Sequence, residues 1–200
     1  MMARCIELSR AAIGEGEYPF GSVIAIDGRI VAEAMNRTVK EGDVSRHAEV
    51  IALSQAQKAL SRREFARATL YSNVEPCAMC SYCIREAWVG RVVYALRSPI
   101  MGGVSKWNIL RDTEIARRIP VFGPAPEVVT GVLSKEVQQV WQAWNPLAWQ
   151  VIRMAGILTA GDQQGEDVKV LAAHRPPAWQ RMVFALTRLA HTRSRQVSDS

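Results

Sequence analysis

The chain has 200 residues, 48% of them hydrophobic, which is enough for one domain that needs no disulfide staples. No run approaches the roughly 18 uninterrupted apolar residues of a membrane span. The start, Met1-Met2-Ala3-Arg4-Cys5, lacks the apolar stretch of a secretory signal, so a cytoplasmic protein without membrane attachment is expected. The net charge of +6 is spread unevenly: residues 151–200 carry 7 Lys+Arg against 4 Asp+Glu, and residues 1–150 carry 18 against 15. A nearly balanced domain is therefore followed by a basic tail, which admits phosphate-bearing partners without requiring them.

In chain order, residues 3–13 read as a short amphipathic helix with Ile6, Ala11 and Ile13 as candidate core positions. Residues 21–26 and 30–35 are apolar runs split by Asp27-Gly28, a hairpin signal. Residues 36–46 are polar and read as loop. His47 opens a helical stretch in which Val50, Ile51, Leu53, Ala56 and Leu60 are the apolar positions. A charged connection with Arg62, Arg63, Glu64 and Arg67 leads to a third strand over 69–74. Pro76 then opens a helix to about Ala87, since the first turn does not need the N–H that proline lacks. Residues 89–96 form a fourth strand. Residues 97–126 are rich in Gly and Pro around a short helix near 111–118. Residues 128–133 form a fifth strand, and Ser134 caps a helix through about Trp144. Alternating strands and helices predict α/β layers. The domain is expected to span 1–156. A tail over 157–200 follows, with a polar linker near 161–167 and apolar residues at 179, 182, 183, 186, 189 and 190 at helical spacing. Arg181, Arg188 and His191 lie opposite them, giving a basic amphipathic helix that could cover the domain, meet a partner such as a second subunit, or touch a membrane surface, with the first two preferred.

The chemistry lies in two short motifs, His47-Ala48-Glu49 and Pro76-Cys77-Ala78-Met79-Cys80. Three of the four cysteines fall between Cys77 and Cys83, a clustering that suits a metal better than a secreted disulfide frame. Cys77 and Cys80 are three apart at a helix start, where the dipole favours thiolates, and two thiolates form a soft pair suited to zinc. The remaining histidines, His174 and His191, lie in the tail, so His47 is the nitrogen donor. Cys83 is the competing ligand, but helix geometry argues against it: it lies six positions after Cys77, about 9 Å along a helix, too far for two sulfurs each ~2.3 Å from one ion, and it reads rather as a buried small hydrophobe. One histidine and two cysteines leave the fourth position of zinc open for a water, the mark of a catalytic rather than a structural site. Glu49 is placed to take a proton from that water and pass it to a leaving amine.

Taken together, the two motifs resemble the signature of the cytidine deaminase-like superfamily, over about residues 2–145. Pro19-Phe20-Gly21, Asn36-Arg37 and the run from Glu75 to Cys80 are similar to the branch that holds guanine deaminase, cytosine deaminase and bacterial tRNA adenosine deaminase. The resemblance implies a three-layer α/β/α fold with a five-stranded mixed sheet, a homodimer, and hydrolytic deamination with zinc at His47, Cys77 and Cys80 and Glu49 as proton carrier. It further implies that Asn36 hydrogen-bonds the base and that Phe20 packs near its ring. Trp107 and Asn108 sit in a Gly-rich loop where this superfamily borders its pocket, and are candidates to stack on a heterocycle and read its edge. Trp141, Trp144 and Trp149 read instead as core or subunit contact. Arg46, the segment 97–112 and the tail depart from the family pattern. Arg46 could reach a carboxylate or phosphate, or point to solvent. The expected substrate is a free nucleobase or small amino-heterocycle of guanine or cytosine type. Adenosine in tRNA ranks second, supported by the basic tail and the family. A non-catalytic zinc-binding interaction module is the third reading, and Glu49 argues against it.

Overall fold

The computed structural model describes residues 1–119 and 121–160. Helix α1 (Met2–Gly14) buries Met2, Cys5, Ile6, Ser9 and Ala12, a stripe at helical spacing that leaves Ala11 exposed and Ile13 half-buried. Of the expected core positions Ile6 is buried, Ile13 packs half-buried against the same cluster, and Ala11 is exposed. Strands β1 (Gly21–Ile26) and β2 (Arg29–Met35) form the expected hairpin. Asp27 and Gly28 both take positive φ, 49° and 77°, the two-residue turn whose twist matches antiparallel strands. The expected loop over 36–46 contains a single turn, α2 (Thr38–Glu41), ended by Gly42 at φ 63°.

Helix α3 (Ala48–Ala56) and the short α4 (Arg62–Phe65) lead into β3 (Thr69–Val74). Helix α5 (Ala78–Glu86) is capped by Cys77, so Pro76 stands just outside it rather than in its first turn. After β4 (Arg91–Arg97) come α6 (Glu114–Arg118) and β5 (Glu127–Val129), which is shorter than expected. The chain then turns through Gly131 at φ 82° and Leu133 at φ 57°, and Leu133 rather than Ser134 is the capping residue of α7 (Ser134–Trp144). A separate helix, α8 (Pro146–Met154), follows: Asn145 Oδ1 accepts from Ala148 N at 3.0 Å, and Pro146 fills the first position. Leu158 is buried, and β6 (Thr159–Ala160) pairs with β4. The expected linker and basic helix lie outside the described residues.

The sheet order is β2-β1-β3-β4-β5. β1 is antiparallel to β2 and β3, while β3–β4 and β4–β5 are parallel, which gives the expected mixed sheet. β6 adds a sixth, two-residue strand against Leu96 and Arg97. Each face carries its own core. Ile24, Val92 and Tyr94 pack towards α3 and α5, whereas Val23, Val93 and Ala95 pack towards α1, α7 and α8. That alternation is the two-residue period of buried strands read on both faces, and it makes the three layers. Among the described residues no helix is long and apolar enough to cross a membrane.

Arg85 is fully buried in α5, and its partners are backbone carbonyls. Nη1 donates to Ile109 O (2.6 Å) and Asp112 O (2.8 Å), and Nε and Nη2 donate to Gly123 O (3.1 and 2.9 Å). Desolvation lowers its pKa, and the carbonyls hold the irregular segment 109–123 against the helix. Arg85→Met leaves three carbonyls without their donors. The urea midpoint is expected to fall by an amount equivalent to about 2–4 kcal/mol, with far-UV circular dichroism unchanged below the transition.

Candidate active site

The site forms where two helices begin. His47 caps α3 and Cys77 caps α5, both with extended backbone (φ −69°, ψ 146° and φ −67°, ψ 174°), and Cys80 sits one turn into α5. α5 is the crossover between parallel β3 and β4, so its N-terminus stands at the carboxyl end of β3, where open α/β sheets form their sites. His47 Nδ1 lies 3.6 Å from Cys77 Sγ and 3.4 Å from Cys80 Sγ, and the two sulfurs are 3.6 Å apart. A tetrahedral zinc with bonds of ~2.3 Å to sulfur and ~2.0–2.1 Å to nitrogen requires separations of about 3.6 Å for S–N and about 3.8 Å for S–S. The three donors fit that ion with little movement. Among the described residues they are the one group of His, Cys, Asp or Glu drawn together in this way, and Cys83 is not in it.

The electrostatics suit a cation. The hydrogen bond from Cys80 brings the Cys77 pKa down to about 4 against the opposing effect of burial, with help from His47 and the Cys80 backbone N–H. The same shared bond, with burial, pushes Cys80 upward, and contact with Cys77 raises His47. Glu49, in the first turn of α3, is buried. Desolvation raises its pKa, and the neighbouring Cys77 charge adds to the effect. Ser72 Oγ of β3 donates to Glu49 Oε1 at 3.0 Å, which leaves Oε2 facing Cys80 Sγ at 3.6 Å.

Glu75, just ahead of Pro76, builds one wall. Its buried carboxylate accepts from Ser98 N (2.7 Å), Val104 N (2.9 Å), Ser105 N (2.6 Å) and Ser105 Oγ (2.6 Å). Gly102 lies directly on that carboxylate and Gly103 on Ser81 Oγ, where any Cβ would collide. This close approach is what the Gly-rich loop provides. Lys106 N and Trp107 N then turn back to Gly102 O, and Leu110 N bonds Gly103 O, so Ile109 and Leu110 enter the core. Trp107 is 56% exposed with Lys106 Nζ 5.7 Å from its ring centroid, and Asn108 is exposed at φ 53°. The structure does not bring Trp107 or Asn108 to the cavity beside the metal donors. Arg46 does not face that cavity either: its Nε donates to Glu41 Oε2 at 2.6 Å.

The cavity has a volume of about 530 Å3 and is lined by His47, Glu49, Asn36, Phe20, Trp141 and Trp144, among others. Phe20 packs edge-on to Trp141 at 5.2 Å, and Trp141 edge-on to Trp144 at 5.6 Å. Trp149 is buried behind them, 6.2 Å from Trp141. Trp141 is buried in the core and Trp144 packs against it, as expected, and the two also form an aromatic wall of the site. Ile152 of α8 and Ile157 close the same side. Sequence reasoning missed this wall and the buried carboxylates of Glu17 and Glu75. The Asn145-Pro146 pair is a helix-start signal that would have exposed α8.

Residues 1–96 match the family described as the cytidine and deoxycytidylate deaminase zinc-binding region. A tRNA-specific adenosine deaminase of Agrobacterium fabrum is 32% identical over 132 residues, 66% of this chain and 83% of that protein. A solved structure from work on tRNA:A34 deaminases is 31% identical, with a TM-score of 0.58 over 70% of this chain and 96% of the other. A structure in complex with 8-azaguanine is 25% identical, with a TM-score of 0.61 over 73% and 82%. With three zinc donors converging at the matched motifs, this chain belongs to the cytidine deaminase-like family of zinc-dependent deaminases.

Proposed function

We propose that this deaminase acts on adenosine in tRNA, with a free nucleobase as the second reading. The observation that carries the first is the match to tRNA adenosine deaminases along more than four-fifths of their length. It reverses the order expected from charge, because net charge reports general attraction to phosphate and not what the base pocket fits. The second reading is favoured by the cavity wall, which among the described residues includes no Lys or Arg to meet a phosphate, and by the relative seen in complex with 8-azaguanine.

In both readings His47 Nδ1, Cys77 Sγ and Cys80 Sγ hold the metal. Bound there, zinc supplies the charge that makes water a competent nucleophile near neutral pH. Glu49 does the proton work. Ser72 pins Oε1, so Oε2 is the atom that accepts a proton and returns it to the departing nitrogen. The raised pKa from burial suits a carboxylate that must hold that proton between the two transfers. Phe20, Trp141 and Trp144 offer faces and edges to a flat ring, and Asn36 the polar contact. The sum is amine plus water to carbonyl plus ammonia.

Ammonia release by the zinc-loaded protein, across unmodified tRNA, guanine, cytosine, adenine and their nucleosides, tests the assignment. Release from tRNA alone supports the first reading, and release from one free base moves the assignment to the second. No release with zinc bound would return the site to a non-catalytic zinc module. Glu49→Gln is expected to lower kcat about 10²–10⁴-fold while zinc content stays at the wild-type level. Loss of zinc in that variant would show that Glu49 is a ligand.

Removing the metal gives a second prediction. In metal-free protein Cys77, with a pKa near 4, stays a thiolate as pH falls to 6, so iodoacetamide should label it at nearly the same rate at pH 6 and pH 8. Cys5, buried with its pKa pushed up to about 12, should remain unlabelled, and zinc should protect Cys77. A steep rise of Cys77 labelling over that range would contradict the assignment of the low pKa to Cys77.

The homodimer belongs to the same proposal. Met79 and Tyr82 are exposed on α5 beside the metal donors, with Phe122 edge-on to Tyr82 at 5.4 Å. Tyr82→Glu is expected to shift sedimentation from dimer to monomer.

A further inference from the structure

Asn36 follows β2 directly, lines the cavity and is 2% exposed. Its Nδ2 donates to Glu17 Oε2 at 2.8 Å and to Thr38 Oγ1 at 2.8 Å. A side-chain amide has two N–H donors and one carbonyl, so both donors are consumed inside the protein. Asn36 Oδ1 meets no protein donor among the described residues, and it is not among the buried polar atoms sealed from solvent. Glu17 is itself buried and held. Its Oε1 accepts from Lys40 N at 2.7 Å, and its Oε2 accepts from Val39 N at 3.2 Å, both in α2. Turning the Asn36 amide over would set Oδ1 against that carboxylate, acceptor to acceptor.

We propose that Glu17 is a positioning residue that fixes Asn36 as a hydrogen-bond acceptor toward the cavity, so that the substrate must present an N–H or O–H donor there. The inference rests on the deaminase reading above and narrows its substrate class. Apart from the exocyclic amine, which the reaction removes and which must therefore be presented to the metal donors and Glu49, two sources offer such a donor: a ring N–H of a free base, or a ribose hydroxyl of a nucleotide in RNA. Adenosine joined to ribose through N9 keeps no ring N–H, so the two sources separate the two substrate readings.

The test exchanges the polarity of the Glu17–Asn36 bond. Asn36→Asp sets two buried carboxylates against each other across 2.8 Å and should lower kcat/KM about 100-fold, mainly through KM. In the double variant Glu17→Gln/Asn36→Asp, the amide introduced at position 17 donates to one oxygen of the carboxylate introduced at position 36, and the other oxygen again offers an acceptor to the cavity. Its kcat/KM should return to within about 10-fold of wild type. A double variant that folds, holds zinc and stays as impaired as Asn36→Asp would overturn the proposal, since a role confined to α2 gains nothing from the exchange. If the double variant does not fold, the side-chain 15N spectrum of the wild type decides: both Asn36 amide protons should be protected from exchange, and one exchanging at the free rate would refute the lock. Comparing adenine with 9-methyladenine, and tRNA with the same tRNA carrying 2′-deoxyadenosine at the target, identifies the donor. Loss on methylation assigns the ring N–H and loss on removing the 2′-hydroxyl assigns the ribose. No loss in either substrate pair, with activity present, would count against a donor requirement. A wild type that releases ammonia from nothing would sink the deaminase reading alone, because the amide spectrum still reports the polarity of Asn36.

Discussion

The N-termini of α3 and α5 meet with His47 Nδ1 3.4 Å from Cys80 Sγ, and the rest of the site is arranged around that contact. A helix start leaves backbone N–H groups without intrahelical partners, and their dipoles favour negative charge. A cysteine in the capping position uses this directly, since the Cys80 backbone N–H helps hold the Cys77 thiolate. Two cysteines, one half-buried and one buried, drawn against an imidazole would otherwise repel as thiolates or demand protons. The helix ends lower that cost, and a divalent cation removes the remainder. The parallel β3–β4 pair matters for the same reason, because its crossover helix must begin at the carboxyl end of β3 and is thereby aimed at the metal.

Two buried carboxylates turn the irregular segments around this centre into fixed walls. Buried backbone N–H groups in a loop need acceptors, and a single carboxylate can serve several. Glu75 does so for the segment 98–105 and Glu17 for the start of α2. Gly102 and Gly103 complete the first arrangement, because only a residue without Cβ lets the chain lie on the Glu75 carboxylate and on Ser81. Glu75 stands two residues ahead of Cys77, and Glu17 holds Asn36 at the cavity, so each connects the chain to the shape of the cavity.

The metal donors were legible because residue type, spacing and helix-start position all agree at His47, Cys77 and Cys80. The sheet was legible because Asp27-Gly28 and the apolar runs are local signals. What failed was long-range. Trp141 and Trp144 pack in and against the core as their helical spacing suggests, but that they also line a cavity depends on the approach of Phe20, which is remote in sequence. Trp107 and Asn108 sit in the expected loop, but the Glu75 hydrogen bonds choose which loop residues turn inward, and they choose Ile109 and Leu110. Glu17 and Arg85 carry no local mark of burial, since each is satisfied by groups remote in sequence.

The division of labour within the cavity bears on how a substrate is chosen. Its aromatic and aliphatic wall attracts any flat heterocycle, and apolar contacts of that kind discriminate weakly, by about 1–3 kcal/mol for a missing methylene. A polar atom of fixed sign discriminates far more, because a wrongly matched acceptor is stripped of water without receiving a hydrogen bond. On the proposed reading Phe20, Trp141 and Trp144 would supply affinity with little identity, whereas Asn36 Oδ1 and Glu49 Oε2 would be the polar atoms whose sign or placement is set by a neighbour, Glu17 in one case and Ser72 in the other. A change of substrate within this architecture would require altering those neighbours as well as the residues that touch the base. Variation confined to the aromatic wall would retune affinity and leave the chemistry of recognition where it stands.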